Sequence, residues 1–237
     1  MPTGRDSQPA YAAPDRGQAP TDAPRYFQAG DPVGLLEAAE VVRRGGLVVY
    51  PTDTLYGLGT NALHREAVTR LLGVKGRSAS RGLPVLLADP DAATALAAQW
   101  PPIAEDLAAR FWPGALTLVL PRLPQVPDVV AAGTTVALRV PNQPVTRALI
   151  REAGCPLIGT SANRSGAPPP TTARAAVEAL GSAVDVALDA GPSPVGLPST
   201  VLDLSSPPVA QILRGGAVAS SALEPVLAES GWTLRLA

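Results

Sequence analysis

Between its bounding glycines the chain reads GGLVVYPTDTLYGLG over residues 45–59, and this stretch limits the fold more sharply than any other. Leu47, Val48, Val49 and Tyr50 make an apolar run with the length and branching of a short buried strand, and Pro51 stops it. Thr52, Asp53, Thr54 and Tyr56 then offer hydroxyls, a carboxylate and a phenol in close succession, while Gly57 and Gly59 are read as letting the backbone turn tightly. Polar groups at the exit of a buried strand form a pocket wall. An ordinary strand-to-helix connection, with hydroxyls satisfying local backbone groups, uses the same residue types, so the stretch alone leaves both readings open.

The 237 residues suffice for one large α/β domain or two small ones, and 46% hydrophobic against 16% charged residues describes a chain that folds around a core. Its 19 basic and 20 acidic residues nearly cancel, which argues against a large nucleic-acid or anionic-membrane footprint. The single cysteine, Cys155, excludes an intramolecular disulfide, and no Cys/His cluster is present for a structural zinc. Cys155 and the lone His64 read as a small buried side chain and a surface histidine. No apolar run approaches the roughly 20 residues of a membrane span and no signal core opens the chain, so a cytoplasmic protein without membrane contact is expected.

Residues 1–30 are rich in Pro, Gly, Ser, Gln and Asp and read as a disordered leader, followed by one domain over 31–237. Asp31-Pro32 caps a helix that stops at Gly45-Gly46. Helices are also expected at 67–72, from Asp89-Pro90, from Pro101-Pro102 to Phe111-Trp112, over 144–153, from Thr171-Thr172 to Leu180, and near 220–229. Strands are expected at 47–50, 83–88, 115–120, 134–140, 156–159, 184–188, from Ser199-Thr200, and at 209–213. Such alternation gives an α/β (α+β) fold with one mixed, twisted sheet and flanking helices, because adjacent strands without an intervening helix near 184–214 exclude an all-parallel sheet.

Polar residues gather at these strand ends: Thr52 and Thr54, Lys75 and Arg77, Thr135 and Arg139, Ser161 and Asn163, Ser199 and Thr200, and Arg214. Ligands of open α/β sheets bind outside strand ends, so these groups converge on one cavity, and four cations with several hydroxyls suit an anionic ligand, phosphate above all. Neither GxxxxGK[ST] nor GxGxxG occurs, and no Ser/His/Asp or Cys/His set offers a covalent nucleophile. Catalysis at such a site rests on positioning and charge stabilisation.

Seven motifs stand in order: PTDTLYGLG at 51–59, KGR at 75–77, FWPGALTLVL at 111–120, RVP at 139–141, TSANRSG at 160–166, PSTV at 198–201 and LRGG at 213–216. The chain resembles the YrdC-like family of threonylcarbamoyladenylate synthases over roughly residues 32–220, in its short single-domain form. The resemblance implies a large basic cavity in a fold similar to dihydroxybutanone-phosphate synthase. It implies a nucleotidyltransferase that joins L-threonine, bicarbonate and ATP, with Mg²⁺, into threonylcarbamoyl-AMP and pyrophosphate for tRNA threonylcarbamoyladenosine modification. A downstream tRNA threonylcarbamoyl transferase machinery would receive the product, with weak RNA binding as an accessory interaction.

Carried over by position, Lys75, Arg77, Ser161 and Asn163 resemble the tetrad that holds the nucleotide phosphates, Lys75 and Arg77 being the catalytic cations. Thr135 and Arg214 resemble further ATP contacts, and Thr54, Tyr56, Arg139 and Ser199 the threonine pocket, where hydroxyls read the amine and side chain. No metal-ligating side chain is assigned. Ser78, Ala115, Gln143 and Pro169 depart from the family pattern and put single contacts in question. Residues 190–198, rich in proline and glycine, are a candidate lid. Two other readings remain at this point: a carbamoyladenylate-forming domain of the hydrogenase-maturation type, and an RNA-binding module.

Overall fold

The computed structural model describes residues 23–77, 82–131, 133–194 and 196–236. Its strands are β1 (Arg25–Gln28), β2 (Val48–Tyr50), β3 (Gly57–Gly59), β4 (Pro84–Leu86), β5 (Leu116–Pro121), β6 (Thr135–Arg139), β7 (Leu157–Ile158), β8 (Thr160–Ser161), β9 (Val186–Asp189), β10 (Thr200–Ser206), β11 (Val209–Arg214) and β12 (Thr233–Leu236). Its helices are α1 (Pro32–Arg43), α2 (Arg65–Lys75), α3 (Pro102–Phe111), α4 (Pro144–Ala153), α5 (Ala173–Leu180) and α6 (Ser220–Glu229). The strands divide between two mixed sheets, ordered β1-β9-β2-β3-β8 and β12-β11-β10-β5-β6-β4-β7, where the sequence pattern gives one. The division falls at Gly159: Leu157–Ile158 close the larger sheet and Thr160–Ser161 the smaller, so the short apolar run at 156–159 serves both.

The larger sheet has a largely apolar face and a mixed one, as period-two alternation allows. Leu116, Leu118 and Leu120 of β5, Leu138 of β6 and Leu202 and Leu204 of β10 are buried in one hydrophobic cluster with Ile103, Ala104 and Leu107 of α3 and Leu223, Val226 and Leu227 of α6. The intervening residues, Val119, Thr135, Ala137, Arg139, Val201 and Asp203, line a cavity on the other face. A smaller cluster packs α1 (Ala38, Ala39, Val42) and α4 (Leu149, Ile150, Ala153) against Val48, Tyr50, Val186 and Leu188 of the smaller sheet.

Local chemistry accounts for several helix ends. Asp31 accepts from Val33 N at 2.9 Å ahead of Pro32, and Thr172 accepts from Ala175 N at 3.2 Å. His64 caps α2, its Nδ1 accepting from Ala67 N at 3.3 Å, a use of the lone histidine that no cap preference signals. Gly76 ends α2 with φ 62° and ψ 39°, a left-handed turn that glycine adopts without penalty.

Several expectations change. Residues 25–28 of the expected leader form β1, an edge strand parallel to β9, while residues 1–22 lie outside the described residues. Pro90–Ala95 is a 3₁₀ helix, and β12 pairs parallel to β11 without having been signalled by its sequence. Gly57 and Gly59 do not make a turn; they form β3, antiparallel to β2. A Cβ on Gly57 would stand 2.5 Å from the Tyr50 ring carbon Cζ, and one on Gly59 would stand 2.7 Å from both Cε1 of that ring and the Ile158 carbonyl oxygen. The glycines are there to admit the fully buried Tyr50 ring, whose hydroxyl donates to Ile158 O at 2.7 Å and so ties the smaller sheet to the edge of the larger. Gly57→Ala is therefore expected to cost about 1–3 kcal/mol by overpacking, read as a lowered midpoint in urea unfolding. An unchanged midpoint would show that the ring has room to shift.

Candidate active site

The mixed face of the larger sheet, the β2–β3 connection and the segment around β8 enclose a cavity of about 950 Å³. Among the candidate residues, Thr54, Tyr56, Arg77, Thr135, Arg139, Ser161, Asn163, Ser199 and Arg214 all line it, although eight of them come from six separate motifs and Thr135 from outside any motif. Its wall carries the guanidinium groups of Arg77, Arg139 and Arg214 and the carboxylate of Asp203, so its field favours an anion.

Arg139 is 5% exposed, at the end of β6. Its Nε donates to Gly114 O at 2.8 Å, Nη1 to Thr54 Oγ1 at 3.2 Å and Nη2 to Asp53 Oδ1 at 2.6 Å. Asp53 also accepts from Asn142 N at 3.2 Å. Burial lowers the guanidinium pKa, and the Asp53 charge opposes that shift. A guanidinium has five N–H groups, so these three contacts leave one on Nη1 and one on Nη2, at a residue of the cavity wall. Motif reading names Asp53 but gives it no role, because the guanidinium it holds stands 86 positions away.

Arg214 is anchored in a similar way: Nε and Nη2 donate to Ser199 O at 3.1 and 2.9 Å, and Nη2 reaches Ser199 Oγ at 3.0 Å. Burial lowers its pKa, and the charges of Arg139 and Arg77 add to that effect, so both repel Arg214 across the cavity. A polyanionic ligand relieves this repulsion on binding.

Lys75 takes a different place from the one its motif suggests. It does not line the cavity; it is 4% exposed, with Nζ donating to Ser161 O at 2.5 Å, Asn163 O at 2.7 Å and, at 3.5 Å, Asn163 Oδ1. All three ammonium protons go to the segment that carries Ser161 and Asn163, whose side chains meet at 2.5 Å. Arg77, two residues on, lines the cavity and donates to Gly82 O at 3.4 Å.

Tyr56 is wholly buried, and its hydroxyl oxygen accepts from Ala190 N at 2.9 Å while donating to Gly191 O at 2.7 Å. Gly196 N donates to Thr54 O at 3.1 Å, so the 190–198 segment is stitched at two places to the PTDTLYGLG stretch. Of the departures, Pro169 lines the cavity, Gln143 caps α4 by accepting from Val145 N at 3.3 Å, Ala115 O accepts from Thr200 N at 3.0 Å, and Ser78 lies outside the described residues. Cys155 is half-buried, and burial pushes its thiol up to about 11. Among the described residues no group of three or more His, Cys, Asp or Glu could hold a metal ion.

Comparison with known proteins places this geometry. The Sua5/YciO/YrdC family model, described as telomere recombination, matches residues 40–216. A threonylcarbamoyl-AMP synthase of Pyrococcus abyssi is 42% identical over 194 residues, which are 81% of this chain and 56% of that protein. A protein of Mycobacterium tuberculosis named as a putative threonylcarbamoyl-AMP synthase is 40% identical over 206 residues, 85% of this chain and 94% of that one. The crystal structure of P. abyssi Sua5 complexed with L-threonine superposes with a TM-score of 0.83 at 38% identity, covering 89% of this chain and 62% of that one. The chain thus spans little more than half the length of the Pyrococcus relative.

Two predictions follow from the cations. Asp53→Asn leaves a buried guanidinium without its counter-charge, at an expected cost of about 3 kcal/mol in denaturant unfolding; a cost near zero would mean that Arg139 is held by its neutral partners. Lys75, which burial and then the Arg77 charge push down to about 8 from an ordinary 10.5, loses its proton as pH rises through about 8. Nucleotide affinity is then expected to fall across that pH as the hold on Ser161 and Asn163 weakens. Between pH 8 and 10.5 the unfolded chain keeps the proton and the folded chain does not, so this group's contribution to stability rises with pH. Titrating nucleotide binding and thermal stability side by side checks the opposed signs; Lys75→Arg should flatten both.

Proposed function

The chain belongs to the Sua5/YciO/YrdC family, and from that premise we propose that it is an L-threonylcarbamoyladenylate synthase, joining L-threonine, bicarbonate and ATP into threonylcarbamoyl-AMP and pyrophosphate. The observation that carries this reading is the convergence on one cavity of a carboxylate-ready arginine, Arg139, with two further guanidiniums, Arg77 and Arg214. One anionic amino acid and one polyphosphate need both kinds of site in reach of each other. The L-threonine held by P. abyssi Sua5 supports the first half of the pairing.

In this reading the threonine carboxylate meets the free edge of Arg139, beside Thr54, which fixes the amino acid. Its amine adds to carbon dioxide from bicarbonate and loses a proton, giving an N-carboxylate. A carboxylate oxygen of that group attacks the α-phosphorus of ATP in line, forming the acyl-phosphate bond as the bond to pyrophosphate breaks. Arg77 and Arg214, both on the cavity wall, offset the charge that grows on the departing phosphates. Lys75 acts from behind by fixing Ser161 and Asn163. Mg²⁺ would be held mainly through the ATP phosphates and water, with Asp203 the one carboxylate that the wall offers among the described residues. When bound it neutralises phosphate charge.

The product is a mixed anhydride, so an acceptor machinery that transfers threonylcarbamoyl to tRNA adenosine is the reading for its consumer, in the cytoplasm where ATP and tRNA meet. Weak RNA contact remains a secondary part of that reading. No helix of the described residues is long and apolar enough to cross a membrane.

Pyrophosphate release from ATP with Mg²⁺ and bicarbonate, with and without L-threonine, tests the proposal. Release is expected to need threonine and to fall about 100-fold in Arg77→Ala. Release driven by carbamoyl phosphate in place of threonine would overturn the assignment in favour of carbamoyladenylate formation.

A further inference from the structure

Thr117, on β5, is fully buried and outside the cavity wall, and its hydroxyl has one hydrogen-bond partner among the described residues, Ser199 Oγ at 2.9 Å. The register of β5 against β10 sets this meeting, since Thr117 stands beside Val201 and Ser199 precedes the strand by one residue. Ser199 Oγ has a second neighbour, Arg214 Nη2 at 3.0 Å, which can only donate.

These contacts decide the direction of the protons. If Ser199 donated to Thr117, the Thr117 proton would be buried with no acceptor, and a buried donor left unpaired carries its full desolvation penalty. With Thr117 donating, every proton inside the protein is placed. Ser199 Oγ then accepts twice, from Thr117 and from Arg214, and both its lone pairs are filled. Its own proton is left over, on a residue of the cavity wall.

We infer that Thr117 is a positioning residue that holds the Ser199 hydroxyl as a hydrogen-bond donor, so that Ser199 takes a carboxylate oxygen of the amino-acid substrate and not its amine. This rests on the reading of the cavity as an amino-acid and nucleotide site, and it revises the expectation that the hydroxyls there read the amine. It also separates two jobs of Ser199. The backbone carbonyl anchors Arg214 on the phosphate side, while the hydroxyl, oriented from beneath by Thr117, serves the amino acid.

Thr117→Val keeps the shape and removes the hydroxyl. Measured by pyrophosphate release, its KM for L-threonine is expected to rise about fivefold, the size of one ordinary hydrogen bond, with kcat and the KM for ATP unmoved. Thr117→Ser should restore the threonine KM, and Thr117→Val should add nothing in a Ser199→Ala background. Should the valine variant fail to fold, Thr117→Cys, close in size and a weak donor, carries the same comparison. An active wild type with an unmoved threonine KM in Thr117→Val, a rise in the ATP KM instead, or a penalty that persists in Ser199→Ala would overturn this inference alone. A wild type that releases no pyrophosphate with threonine would overturn the synthase reading and this inference with it.

Discussion

A guanidinium buried at the end of a strand has to be met on every side, and the requirement that Arg139 imposes organises the molecule around it. Gly114 O comes from the bend between α3 and β5, Thr54 and Asp53 from the connection after β2, and Asn142, which also holds Asp53, from the entry to α4. Three stretches far apart in the chain are thereby fixed to one charge. Replacing the pair with apolar side chains could be as stable, since desolvating both charges offsets much of their attraction. What the pair supplies is a fixed orientation for a guanidinium on the cavity wall.

The same economy separates the cations into two kinds. Arg77, Arg139 and Arg214 border the cavity, each with a backbone carbonyl among its partners, so each arrives at the wall already oriented. Lys75 spends its three protons inside the protein, on the backbone and side chain of the segment beside the wall. A flexible ammonium suits that inward task, and a planar fork suits the outward one. A motif that places a lysine and an arginine two residues apart thus covers two separate roles.

Much of this architecture is legible in the sequence because the signals are local. Asp31 and Pro32 mark the start of α1, apolar runs mark β5 and β6, and clustering of polar residues at strand ends marks the cavity before any contact is known. What escapes is non-local. Nothing in the run LVVY says that its tyrosine needs two glycines opposite, so GLG reads as a turn when it is a strand. β1 and β12 are short edge strands whose pairing depends on β9 and β11, and the leader's composition hides the first of them. Asp53 and Thr117 sit inside recognisable motifs, yet their partners are 86 and 82 positions away, and only the folded register brings them together.

The larger sheet assigns its two faces to different tasks. Along β6, Val136 and Leu138 face the core, while Thr135, Ala137 and Arg139 face the cavity; β10 repeats the division with Leu202 and Leu204 against Val201 and Asp203. Neighbouring positions of one strand therefore meet separate physical requirements. Side chains at 119, 137 and 201 can be exchanged to alter what the pocket admits while the packed layer beneath stays as it is. A single inserted residue in β6 would do the reverse, turning the arginine into the core and a leucine toward the ligand. Ligand preference in this scaffold is open to substitution and closed to changes of length.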